Sequence, residues 1–148
     1  MKRFAILNAR RGDAAPAGGA LLGSWGCALY LAATTAMAAE PLEVPSGQPI
    51  SVFEVLLEEQ VSGEAWLRAR FLAPEIGRGF DFERVADDFM FLCENYALPL
   101  ALKEAKPASQ IVISLSDREV EFGVADPEAT QFFEAYRIEN GACIWEGF

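Results

Sequence analysis

The clearest element of this chain is Phe82 to Ala97, which spaces its apolar residues as an amphipathic helix does, and it constrains the fold class most. Phe82, Val85, Ala86, Phe89, Leu92, Cys93 and Tyr96 make the stripe, Asp81 is placed to cap its start, and Pro99 is expected to stop it. Glu83, Asp87, Asp88 and Glu94 fall on the wet side. Met90 and Phe91 lie off the stripe, so at least one of them is expected at the surface. One helix cannot bury its own stripe, and the other apolar segments must supply a sheet to cover it.

Those segments read as strands. Ile50 to Leu57 is rich in β-branched and aromatic residues, although its apolar positions do not alternate cleanly and a short helix is the alternative. Ser62-Gly63 marks a turn. Ala65 to Ala73 alternates Leu67, Ala69 and Phe71 against Trp66, Arg68 and Arg70, which predicts a half-buried strand with a basic outer face. Gln110 to Leu115 is a nearly continuous apolar run, as in a central strand covered on both faces. Val120 to Val124 adds a short strand, and Asp126-Pro127-Glu128 starts a helical turn.

Asn140-Gly141 predicts a two-residue type I′ hairpin turn. That turn pairs Ile138 with Cys143 and Tyr136 with Trp145. Phe132, Tyr136, Ile138, Cys143 and Trp145 then share the core face, and Arg137, Glu139, Ile144 and Glu146 share the other, where cross-strand charge pairs can form. The expectation is a single α+β domain: an antiparallel sheet of four to five strands with one amphipathic helix packed on a face.

Residues 1–38 read as a signal peptide. Lys2, Arg3, Arg10 and Arg11 form a positive head, no charge occurs from Leu21 to Ala36, and Ala36-Met37-Ala38 offers a cleavage pattern. The apolar part, on the order of 15 residues, is shorter than the about 20 of a spanning helix. Cleavage after Ala38 and export to the periplasm is the expectation, and an uncleaved membrane anchor is the alternative. Residues 39–49, with Pro41, Pro45, Gly47 and Pro49, form an extended leader into a domain over 50–148.

Charge and missing residue types bound the function. The chain has 12 bases and 22 acids. Four of the bases and one acid, Asp13, precede residue 39, so the remainder keeps 8 bases and 21 acids, a net charge of -13. Such a body disfavours nucleic acid and anionic lipid and favours basic protein surfaces or dissolved cations. There is no histidine, which removes Ser-His-Asp and Cys-His triads and imidazole shuttles. Phosphate-binding loops, nucleophile elbows and dinucleotide fingerprints are missing too, so no cofactor and no catalytic residue is expected.

Several residues are still candidates. Cys27 leaves with the signal peptide, and Cys93 and Cys143 remain on inferred core faces where a disulfide can form, two separate buried thiols being the alternative. Asp87 and Asp88 offer a cation face or merely a solvated helix face. Ser116, Asp117, Arg118 and Asp126 mark a ligand or partner loop, in which Arg118 holds an anion or forms a local salt bridge with Asp117. Phe91 and Phe148 are interface candidates, whereas Trp145 is expected to fill the core.

The stretch from Gln110 to Phe148, with Asp87 to Pro99 and the earlier Val44 to Ile50, resembles a family of small exported alphaproteobacterial proteins of unknown function. The likeness runs from about residue 44 to the end. Some relatives bear the label acetolactate synthase, a reaction that needs thiamine diphosphate, a metal and a large multidomain enzyme; this chain has none of that machinery. The expectation is a non-enzymatic exported domain that binds a protein with a basic surface as an envelope accessory factor. A small-molecule or cation-binding periplasmic module is the alternative, and a histidine-free enzyme the remote one.

Overall fold

Where β-branched and aromatic residues cluster, the chain does form strands. A computed structural model describes Arg3–Ala5 and Pro41–Gly147. The cleavage pattern at Ala36 to Ala38 and the interface candidate Phe148 lie outside the described residues. Five strands make a mixed sheet: β2 (Ser51–Glu59), β3 (Ala65–Leu72), β4 (Gln110–Ser116), β5 (Gln131–Glu139) and β6 (Ala142–Glu146), adjacent in that order. A short β1 (Arg3–Ala5) pairs antiparallel along β2, with Ala5 opposite Leu56. The register of β2 against β3 slips between Val52 and Glu54. Phe53 is the extra residue of that bulge, which is why the apolar positions of this strand do not alternate.

The sheet is not wholly antiparallel. β3 and β4 run parallel, Trp66 beside Gln110 through Leu72 beside Ser116. The long helical connection between them carries the chain back across the sheet, which two parallel neighbours require. β4 is central and buried on both faces, as its apolar run predicts.

The helix is longer than its stripe suggests. α1 (Phe82–Leu92) passes through a π-helical segment (Cys93–Ala97) into a last turn, α2 (Leu98–Ala101). Asp81 caps the start, its carboxylate accepting the Arg84 N–H at 3.0 Å. Pro99 does not end the helix. The Leu98 N–H reaches back to the Cys93 carbonyl, and the wider π turn lets the proline pass without breaking the rod. Val85, Phe89, Leu92, Cys93, Ala97 and Ala101 pack on Leu67, Ala69 and Phe71 of β3 and Ile111, Ile113 and Leu115 of β4. No helix of the described residues is long and apolar enough to cross a membrane.

The hairpin has the expected register, Ile138 opposite Cys143 and Tyr136 opposite Trp145. Asn140 and Gly141 take φ of 52° and 74°, the left-handed pair that a type I′ turn demands. Cys143 therefore points at the helix and meets Cys93 at disulfide distance, with Cα atoms 6.4 Å apart. On the other face Arg137 pairs with Glu139 at 2.8 Å and Glu146 at 3.4 Å. Trp145 departs from expectation. It is 58% exposed, because β6 is an edge strand that the helix does not fully cover, and its indole N–H donates to Glu134.

Val120 to Val124 forms no strand. Its backbone is engaged from the side instead, the Val120 carbonyl accepting from the Arg70 guanidinium. Asp126 does start a turn, its carboxylate accepting the Glu128 N–H at 2.9 Å.

Candidate functional site

Alternation along β3 sends Arg68 and Arg70 to the sheet face away from the helix. This is not the open basic face that the pattern suggests. The loop from Asp117 to Thr130 folds back over it, seating Val120 and Phe122 above the guanidiniums. Arg70 is 9% exposed and pairs with Glu54. Its guanidinium lies 5.1 Å from the Phe53 ring centre and 5.7 Å from that of Phe122. Arg68 donates to Glu58 and stands 5.6 Å from Phe122. Burying Arg70 and half-burying Arg68 is costly, and here each has a carboxylate partner and an aromatic face to offset the lost water.

Between loop and sheet lies a cavity of about 150 Å³, lined by Arg68, Arg70, Ser114, Glu121, Phe122 and Phe133 among others. Ser114 is 7% exposed, and its hydroxyl has no hydrogen-bond partner among the described residues. Phe133 and Val124 also line this cavity, yet they are 49% and 53% exposed. The site is thus a polar floor under a partly open apolar mouth.

The four loop residues singled out from the sequence hold the loop in place and do not line the cavity. Ser116 Oγ donates to the Arg118 carbonyl at 2.7 Å. Asp117 accepts from Arg118 Nε at 3.2 Å and from the Thr130 N–H at 3.1 Å, and Arg118 also reaches Glu128 at 3.7 Å. The local salt bridge is formed. Chiefly through the Arg118 hydrogen bond, with the Thr130 N–H assisting against partial burial, the Asp117 carboxyl is held below its ordinary value. A depressed carboxyl stabilises the fold above its unfolded value, near about 3.9, and that contribution is lost as pH falls through the lower folded value. Acidification below about pH 4 is expected to loosen the Thr130 end of the loop, read as faster amide exchange there. Asp117→Asn should abolish that acid step; an unchanged step would assign it to another carboxylate.

The helix acids divide. Asp87 is exposed, whereas Asp88 is fully buried, a correction to the wet-side reading. The leader segment around Ser46 lies against the helix and widens its covered side. Asp88 accepts the Ser46 N–H at 2.8 Å, the Ser46 hydroxyl at 2.6 Å and the Gln48 amide at 2.8 Å. Two adjacent carboxylates on one open face do not exist here, and no group of three or more possible metal ligands occurs among the described residues. Phe91 is 36% exposed, on the surface as its off-stripe position implies.

Arg68, Arg70, Ser114, Phe122 and Phe133 were not marked as a site by their spacing. A signal was present: Val120, Phe122 and Val124 alternate with Glu119 and Glu121, as in a segment that lays one side on a surface. Which surface it covers is a matter of tertiary contact. The chain belongs to a family of unknown function (DUF6497), whose model matches residues 27–148. No curated protein and no solved structure matches it.

Proposed function

We propose that this member of an uncharacterised family is a non-enzymatic, exported domain that serves as an accessory factor in the cell envelope. Its partner is a protein with a basic surface, docked on the loop-covered face of the sheet. One observation carries the reading: Val124 of the loop and Phe133 of β5 stand half-exposed, and the loop's Glu119, Glu121 and Glu128 are at the surface. Apolar anchors within a charged rim are how protein interfaces combine affinity with steering. Five of the eight bases after residue 38, namely Arg68, Arg70, Lys106, Arg118 and Arg137, are already paired with acids. The outward field is therefore set by carboxylates. The missing imidazole and the lack of any cofactor motif support a binding role over a catalytic one.

Capture from envelope extracts by the immobilised domain is expected to fall about tenfold or more between low and high ionic strength. Phe133→Ser should cut it by about thirtyfold, the effect of losing an interface anchor. No partner at either salt, or equal capture by Phe133→Ser, would refute the reading. The cavity favours a second reading, in which the same face holds a small molecule.

A further inference from the structure

We infer that the cavity beneath the loop takes a zwitterionic α-amino acid with an apolar side chain. This rests on the reading that the loop-covered face is the binding face, and it names the ligand chemistry of that face. Hydrogen-bond supply is the first argument. Arg68 spends Nε on Glu58, and no other contact of its guanidinium with a polar group occurs among the described residues. The Ser114 hydroxyl, opposite Arg70 in the sheet and lining the same cavity as Arg68, has no partner among the described residues either, although the residue is more than nine-tenths buried. A guanidinium fork and a hydroxyl are donors suited to a carboxylate.

Charge narrows the choice. Arg68 pairs with Glu58 and Arg70 with Glu54, and Glu121 lines the same cavity, one acid in excess, in a domain already strongly negative. A bare carboxylate adds to that excess. An α-ammonium cancels the ligand's own charge and has the Glu121 carboxylate, exposed at the cavity wall, to pair with. Size agrees with this. About 150 Å³ admits a benzene-sized group, so the enclosed part takes about half of such an amino acid and the rest stands in the partly open mouth. Phe122, Val124 and Phe133 supply the apolar walls against which a side chain can lie.

The test is a calorimetric and NMR titration of the protein with L-leucine and L-phenylalanine, their N-acetyl derivatives and their amides. At least one free amino acid is expected to saturate a single site and shift the amides of Ser114, Phe122 and Phe133. Removing either charge from the ligand should weaken binding about tenfold or more. Ser114→Ala should weaken it about three- to tenfold. Glu121→Gln should weaken the free amino acid but leave its N-acetyl derivative unchanged. No saturable binding by either amino acid, or an N-acetyl derivative as tight as its parent, overturns the inference. Phe133-dependent capture of a protein without amino-acid binding leaves the docking reading standing and removes this one; amino-acid binding without such capture does the reverse.

Discussion

Reducing the link between Cys93 and Cys143 is expected to lower the unfolding free energy by about 4 kcal/mol. The two cysteines are 50 residues apart in sequence, and closing a loop of that length removes about 4 kcal/mol of entropy from the unfolded chain. A domain of this size has a total stability of about 5–15 kcal/mol, so the bridge decides whether it stays folded under stress. It ties the π-helical segment to edge strand β6, which is hydrogen-bonded to the sheet on the β5 side alone. Urea unfolding with and without reductant gives the measurement: the midpoint should fall by about 2 M for a slope of about 2 kcal/mol/M. A fall of less than about 1 kcal/mol, with both thiols open to alkylation in the native protein, would show that no bridge forms.

Asp88→Ala is expected to cost about 3–4 kcal/mol. Three hydrogen bonds converge on this carboxylate from Ser46 and Gln48, and alanine leaves the Ser46 N–H and the Gln48 amide without acceptors inside the protein. The segment from Val44 to Ile50 should then lift off the helix and expose two core residues, Val44 and Ile50. Asp88→Asn tests the mechanism more finely. Gln48 Oε1 is buried with no partner among the described residues, so a half-turn of the Gln48 amide would let it accept from the new Asn. The expected cost is about 1–2 kcal/mol, with amide exchange at Ser46 raised far less than in Asp88→Ala. Equal losses in the two variants would mean that packing, and not the hydrogen bonds, holds the leader.

Much of the local structure was legible because it depends on neighbours in the chain. Asn140-Gly141 specifies a turn whose twist suits only one register, and that register carries Cys143 to the face where the helical stripe places Cys93. The misreadings share one cause. Asp88, Arg70 and Trp145 were placed by the period of their own element, which knows nothing of what a distant segment lays on top. The leader covers Asp88, the loop after β4 covers Arg70, and Trp145 is left 58% exposed.

By itself the sequence determined one helix, the strands β2 to β6, the hairpin register, the cysteine faces and the strong negative charge, because backbone periodicity and turn chemistry act over a few residues. Only the tertiary structure decided that β3 and β4 run parallel, that Pro99 lies within the helix, and that the arginines on the far face are roofed by an acidic loop over a cavity. Those outcomes depend on contacts between segments tens of residues apart, where burial, and not local preference, selects the partner.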